Sequence, residues 1–234
     1  MARQGAGLMA TALENALVVL SGGQDSTTCL YWAIDRFGTG NVETVTFDYG
    51  QRHRIELECA GRVAAFARVP NQVLPIDTFA ELGGDALTDE TVAVRPGVDA
   101  ATGLPNTFVP GRNLIFLTFA AAYAYRRGIG HLVTGVAQTD YSGYPDCREA
   151  TIESLQQTLC LGMDFDIAIH TPLMHRSKKE TVELARDLGA LPAMAHTHTC
   201  YNGQRPPCGV CPACKLRARG FAEAGLADPL LDPA

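Results

Sequence analysis

Long apolar runs are missing from this chain. A membrane-spanning helix needs about 20 consecutive apolar residues, and the longest run, residues 114–125, is stopped by Arg126 and Arg127. Residues 16–20 are too few for the apolar stretch of a secretory signal and run straight into a glycine turn. The expectation is a cytoplasmic protein with no membrane partner, preceded by a loose leader over residues 1–14. An excess of basic charge is missing as well. The formal charge is −6, which argues against a nucleic-acid partner gripped by a broad basic face. Internal repeats are absent, which excludes a solenoid. Aromatic residues make up only 7% of the chain, while alanine and glycine are plentiful. That balance suits small-residue helices packed closely on a sheet.

What is present is a hydrophobic fraction of 47%, enough for a full core. Residues 16–20 form a short β-branched apolar run ending at Gly22 and Gly23, the pattern of a buried parallel strand. Helical spacing follows over 27–37, then a second strand over 42–47 and a longer helix over 53–69. A third strand is predicted over 72–76, a helix over 112–127 and a strand over 131–136. Helices over 150–161 and 177–188 flank a short strand at 167–170, with Glu180 completing a capping box. This alternation predicts an α/β fold, a doubly wound, Rossmann-like parallel sheet with helices on both faces. The α/β domain is expected over 15–190, with a small zinc-binding C-terminal region over 191–234. Residues 83–111 lack apolar periodicity. Irregular loops of that length are uncommon and often functional, so this one reads as a lid or substrate loop.

The string SGGQDS at 21–26 lies where the first strand turns into the first helix. Gly22 and Gly23 let the backbone turn sharply and approach a ligand closely. Free amides and the positive end of the helix dipole make an anion site, to which Ser21 and Ser26 add hydroxyls. Asp25 would repel phosphate directly, so a Mg²⁺ ion between the two is the natural reading. The Gly-Lys-Ser/Thr ending of a Walker loop is not there. An ordinary strand-to-helix turn also carries glycines, but the full string is far more specific.

Cys200, Cys208, Cys211 and Cys214 stand as C-x7-C-x2-C-x2-C. The two C-x2-C steps fit four thiolates around one tetrahedral zinc, and Gly209 eases the tight turn. Four protein ligands leave no open position, so one structural zinc per subunit is expected. His196 and His198 lie nearby as alternative ligands for one position. A reducing compartment disfavours disulfides, and Cys29 and Cys59 fall at apolar helix positions, as core residues do.

The SGGQDS string resembles the pyrophosphate loop of the N-type ATP pyrophosphatase superfamily. TFDYGQRH at 46–53, NTFVPGRN at 106–113, SGYPDCR at 142–148 and TCYN at 199–202 resemble the 7-cyano-7-deazaguanine synthase family within it. The resemblance covers about residues 16–220. It implies an adenine nucleotide alpha hydrolase-like fold, ATP as cosubstrate with Mg²⁺, and cleavage between the α- and β-phosphates. The implied reaction belongs to queuosine biosynthesis and turns 7-carboxy-7-deazaguanine and ammonia into a nitrile. A carboxylate oxygen is a poor leaving group. Adenylation converts it to AMP, which ammonia displaces, and a second activation of the amide oxygen leaves the nitrile. Water has to be kept from the acyl-adenylate. No glutaminase domain fits this length, so ammonia is free or delivered by a partner, and a homodimer is expected.

On that resemblance the ATP-binding candidates are Leu20, Ser21, Gly22, Gly23, Gln24, Asp25, Ser26, Thr27, Thr28, Asp48, Arg112 and Asn113. Asp25, Lys178 and Arg112 are the catalytic candidates. Lys178 starts a helix where the superfamily has its second phosphate-binding element, and its charge would steady the α-phosphate. A solvated surface lysine is the plainer alternative. Arg112 and Asn113 open a helix after Pro110 and Gly111. There they would meet adenine, phosphate or the substrate carboxylate, unless Arg112 is a surface charge. Asp48 ends a strand at the ligand-binding edge of the sheet. It would bind ribose or Mg²⁺, or cap the next helix. Asp140 and Asp146 are candidates to accept the donors of the deazaguanine edge, Tyr144 to stack, and Arg148 to pair with the carboxylate. Each reads equally well as a loop or cap residue. Cys147 is not read as a nucleophile, because the adenylate already activates the carbonyl.

Two rivals stand beside this reading. A tRNA-thiolating enzyme of the same superfamily would need reactive cysteine pairs near the phosphate loop and a basic face for RNA. A non-catalytic zinc module that binds nucleic acid or protein is at odds with the negative charge and the intact phosphate loop.

Overall fold

The computed structural model describes residues 14–89, 91–95, 97–138 and 143–231. Asp140 and the expected leader, apart from Glu14, lie outside them. β1 (Ala16–Val19) is apolar throughout, with Ala16, Leu17 and Val18 fully buried, as a strand covered on both faces must be. It lies at the centre of a sheet with β2 (Val42–Asp48), β3 (Asn71–Pro75), β4 (His131–Val133) and β5 (Ala168–His170). Their order is β3-β2-β1-β4-β5, and these pairings are all parallel. Ala16 lies opposite Val42 on one side and opposite His131 on the other. The chain winds outward from β1 to β3, then returns to the other flank of β1 at β4. That reversal opens a crevice at the carboxyl ends of β1 and β4, where ligands of such sheets bind. The doubly wound α/β fold expected from the sequence is what forms.

Eight helices are described: α1 (Gln24–Phe37), α2 (Ile55–Ala67), α3 (Thr78–Leu82), α4 (Arg112–Arg127), α5 (Glu149–Met163), α6 (Lys178–Asp187), α7 (Leu191–Met194) and α8 (Pro212–Ala224). Successive side chains of a strand alternate between faces. Ala16 and Val18 therefore join the core beneath α1 and α2, while Leu17 joins Ala120, Ala121 and Ala124 of α4. Each fully buried Leu or Val side chain contributes roughly 1.5–3 kcal/mol.

Most departures from the sequence expectation lie at element ends. α1 begins at Gln24 because Gln24, Asp25 and Ser26 already form its first turn behind Gly23. β4 stops at Val133: Thr134 still donates to the His170 carbonyl at 3.0 Å, and the chain beyond leaves the ladder to wall the crevice. α3 and α7 are too short to show in apolar periodicity. The capping box is present, with Ser177 N donating to Glu180 Oε2 at 2.7 Å and Glu180 N to Ser177 Oγ at 3.3 Å.

The C-terminal region docks on the same body. Arg217 of α8, only 4% exposed, makes two 2.7 Å contacts to Asp228 and reaches the Thr197 hydroxyl at 2.7 Å. Gly220 lies against α6, where a β-carbon would sit 3.0 Å from Lys178 Cβ. Among the described residues, no helix is long and apolar enough to cross a membrane.

Candidate active site

The crevice is a cleft of about 330 Å³, and the glycine-rich turn forms its base. The Ser21 and Ser26 hydroxyls are 3.0 Å apart, and Ser26 Oγ donates to the Gly23 carbonyl at 3.2 Å. Gly22 holds φ +80° and lies so close to α2 that a β-carbon would come 2.5 Å from the Glu56 carbonyl oxygen. Only glycine meets both demands. Gly135, just after β4, presses from the other side, since a β-carbon there would lie 3.1 Å from Ser26 N. His198 N donates to the Gly22 carbonyl at 2.8 Å, so the C-terminal segment also holds the turn.

Two atoms of this turn are buried with no hydrogen-bond partner: Gln24 Nε2 and Asp25 Oδ1, on residues that line the cleft. Leaving such groups unsatisfied costs roughly 1–3 kcal/mol each, which a ligand in the cleft would relieve. The other Asp25 oxygen accepts from Lys178 Nζ at 2.7 Å. Lys178 is 17% exposed, so it is no solvated surface lysine. The fold brings the first residue of α6 onto the turn after β1.

The far end of the cleft is organised around Arg112, at the start of α4. Its Nη1 bonds the Tyr49 hydroxyl at 3.4 Å, and the guanidinium carbon lies 5.7 Å from the centre of that ring. The Tyr144 hydroxyl is 2.7 Å from Thr107 Oγ1 and also hydrogen-bonds Tyr201. Burial opposes the Arg112 charge, but Tyr49, Tyr144, Tyr201 and Asp146 around it outweigh that and raise its pKa. Burial pushes the Tyr49 phenol up to about 12, with Arg112 pulling the other way. The phenol therefore stays a protonated donor at neutral pH. Glu56, in the first turn of α2, also lines this chamber, and burial lifts its carboxyl to about 7 against the pull of Arg112. A permanent guanidinium fork among phenols and apolar rings is suited to a planar molecule bearing a carboxylate or phosphate.

Several candidates from the sequence take other positions. Thr27 and Thr28 are fully buried and donate to the Gly23 and Gln24 carbonyls at 2.8 and 3.0 Å. They brace the helix start and, like Gly22, are not in the cleft lining. The Asp48 carboxylate is outside the cleft and pairs with Arg54 at 2.6 Å, just ahead of α2. It caps no helix either, since the residue ahead of α2 is Arg54 and no side chain caps that helix. Asp146 is 4% exposed, does not line the cleft, and accepts from Asn113 N at the start of α4 through Oδ2 at 3.0 Å. Arg148 is exposed at the N-cap of α5 and does not line the cleft, so it is not placed to meet a carboxylate there. Leu20, Ser21, Gly23, Gln24, Asp25, Ser26, Arg112, Asn113, Tyr144 and Lys178 do line it.

Sequence reasoning did not single out Tyr49, Thr107, Tyr201 or Glu56. The first three lie inside strings that the resemblance had marked, but a string does not say which of its side chains turns inward. Glu56 carried no signal, because acids are ordinary in the first turn of a helix. The loop over 83–111 reaches the cleft through Leu87, Arg95 and Thr107. It is tethered near its start, where the Leu87 carbonyl accepts from Arg52 N at 2.8 Å.

The four C-terminal cysteines converge, with all four sulfurs within 4.8 Å of one another. Sulfurs about 2.3 Å from a tetrahedral zinc lie about 3.8 Å apart, and Cys208 and Cys214 Sγ are separated by 3.9 Å. The Cys211 and Cys214 amides donate to the Cys208 and Cys211 sulfurs at 3.4 and 3.5 Å, the outer-sphere support that zinc thiolates use. The cluster fits a zinc site. Neither nearby histidine joins it: His198 Nε2 bonds the Cys200 carbonyl at 2.8 Å and the His196 ring packs on Phe66.

A family model described as queuosine biosynthesis protein QueC matches residues 15–225. Three curated proteins named 7-cyano-7-deazaguanine synthase are similar over almost the whole chain. That of Chromobacterium violaceum is 68% identical over 94% of each chain. The Laribacter hongkongensis protein is 63% identical over 94% of this chain and 95% of its own. One from Acidovorax sp. is 52% identical over 90% of this chain and 93% of its own.

Proposed function

The chain belongs to the queuosine biosynthesis protein QueC family, and on that premise we propose that it converts 7-carboxy-7-deazaguanine and ammonia to 7-cyano-7-deazaguanine with ATP. It is then a ligase that forms carbon–nitrogen bonds. The observation that carries this reading is the meeting, in one cleft, of a phosphate-type turn and the Arg112 chamber. The first suits a nucleotide and the second a small planar acid.

ATP places its phosphates on residues 21–26, where loop amides and the unpartnered Gln24 Nε2 are donors, joined by the Ser21 and Ser26 hydroxyls once these turn from their bonds within the loop. Lys178 and Arg112 bring positive charge to the phosphorus centre and to the acid. Mg²⁺, when bound, offsets phosphate charge, and the unpartnered Asp25 Oδ1 fits it as a ligand. The substrate carboxylate attacks the α-phosphorus and pyrophosphate leaves. Ammonia displaces AMP to give the amide, and a second adenylation on the amide oxygen leads to the nitrile. Tyr144 and Phe116 flank the place for the deazaguanine ring, and the 83–111 loop keeps water out. Zinc on Cys200, Cys208, Cys211 and Cys214 holds the segment that delivers Thr199 and Tyr201 to the cleft and His198 N to Gly22. The partners are small molecules rather than nucleic acid, the setting is the cytoplasm, and the working form is a homodimer.

Incubation of the purified protein with the carboxy-deazaguanine, ammonium and MgATP tests this. Mass spectrometry should find the nitrile, with two AMP and two pyrophosphates released per nitrile. Release of ADP alone would sink the adenylation chemistry. A thiolating rival gains no support from the cysteines. Cys147 is the one cysteine among the described cleft-lining residues, and Cys29 is fully buried with its thiol pKa raised, first by that burial.

A further inference from the structure

Turning ammonia into a nitrile is as much a problem of proton removal as of carboxylate activation. When ammonia displaces AMP from the acyl-adenylate, a C–N bond forms, the C–O bond breaks with its electrons leaving on AMP, and the nitrogen sheds one proton. When the amide oxygen then attacks the α-phosphorus, pyrophosphate departs and a second proton leaves nitrogen to make the C=N bond. Loss of the second AMP completes the C≡N bond and releases a third. No residue given a role so far accepts these protons.

Two carboxylates line the cleft among the described residues, Asp25 and Glu56. Asp25 is held by Lys178 at 2.7 Å and belongs to the phosphate turn. The one histidine among the described lining residues, His198, is engaged through Nε2 with the Cys200 carbonyl at 2.8 Å. Glu56 differs from both. Its residue abuts the phosphate turn at Gly22, it lines the cleft with Arg112, and its carboxyl makes no hydrogen bond among the described residues. The charged and titratable groups facing it are Arg112 from α4 and Tyr49 from the segment after β2.

We propose that the Glu56 carboxylate is the base that takes the protons shed by the substrate nitrogen in amide and nitrile formation. It holds each proton as the neutral acid and gives it up before the next one is shed. This rests on the nitrile-forming reading above. Its pKa, lifted by burial to about 7, lets one group accept and release a proton near neutrality, as a general base requires. The alternative, a carboxylate that only neutralises Arg112, predicts a different kinetic signature.

The test separates the first adenylation, which involves no nitrogen, from the steps that do. Exchange of labelled pyrophosphate into ATP, dependent on the carboxy-deazaguanine and without ammonia, reports the first. Nitrile production reports the rest. The Glu56→Gln variant should keep exchange within about threefold of wild type while nitrile formation falls by roughly 100-fold or more. With free NH3 held constant across the pH range, nitrile formation by the wild type should fall on the acid side of about pH 7, because the base form is lost there, and this limb should vanish in Glu56→Gln. Glu56→Asp should restore part of the rate together with an acid limb. Nitrile formation by Glu56→Gln at the wild-type rate would overturn the assignment. So would parallel loss of exchange and nitrile, which is what a binding or structural role gives. Wild-type protein that exchanges no pyrophosphate would instead remove the adenylation reading, and this assignment with it.

Discussion

The two ends of the cleft are built in opposite ways. The phosphate end is one short stretch whose bonds largely close on itself, Ser21 to Ser26 and Ser26 to Gly23. The Arg112 end collects Tyr49, Glu56, Thr107, Tyr144 and Tyr201 from segments spread along most of the chain. A local turn carries bonds of its own, and α2, Gly135 and His198 brace it from outside. A distributed chamber exists only once β2, α2, α4 and the C-terminal segment have all docked. Damage to the first should therefore abolish ATP chemistry outright, whereas loss of the Arg112 fork from the second should spare ATP and spoil recognition of the acid.

The largest effect is expected from Gly22→Ala. A β-carbon would meet the Glu56 carbonyl at 2.5 Å and Ala60 N at 2.6 Å, and the positive φ alone costs an alanine roughly 1–2 kcal/mol. Pyrophosphate exchange should drop below detection, with a lowered melting temperature. Full exchange by this variant would mean that the turn is looser than its contacts with α2 imply. Next comes Cys208→Ser, measured by zinc content and thermal melting. It should lose the metal and several kcal/mol of stability, and the affinity for the acid should fall further than that for ATP. Equal losses would show that His198 on Gly22 matters as much as Tyr201 in the chamber.

Arg112→Lys should be milder and more selective. Lysine keeps the charge but not the planar fork. Steady-state kinetics should show kcat/KM for the acid reduced by about 100-fold, with KM for ATP within about threefold. The reverse pattern would reassign Arg112 to the nucleotide. Arg148→Ala should change turnover by less than about twofold, because the side chain is exposed beyond the cleft. A large loss there would place the substrate carboxylate outside the chamber described.

The same contrast explains what was legible beforehand. Periodicity located β1 and β2, the capping box located the start of α6, and glycine and cysteine spacing located the phosphate turn and the four-thiolate cluster. All depend on neighbours in sequence. Misplacement concentrated on residues whose role is set across the fold. Asp146 reads like an acceptor for a base edge but lies buried outside the cleft lining, with one oxygen on the Asn113 amide. Arg148 reads like a carboxylate partner but faces outward at the N-cap of α5.

Sequence alone determined the parallel sheet, through the alternation of strands and helices, and the glycine-rich turn and the zinc-type cluster, through spacings shorter than about ten residues. Tertiary structure alone decided which acid enters the cleft. Glu56 and Glu58 stand two positions apart near the start of α2, yet Glu56 faces Arg112 with its carboxyl lifted to about 7, while Glu58 lies in solvent beside Arg62. What sets them apart is desolvation, and desolvation depends on what packs across the gap. Here that is α4 and the segment after β2, whose positions relative to α2 exist only in the assembled fold.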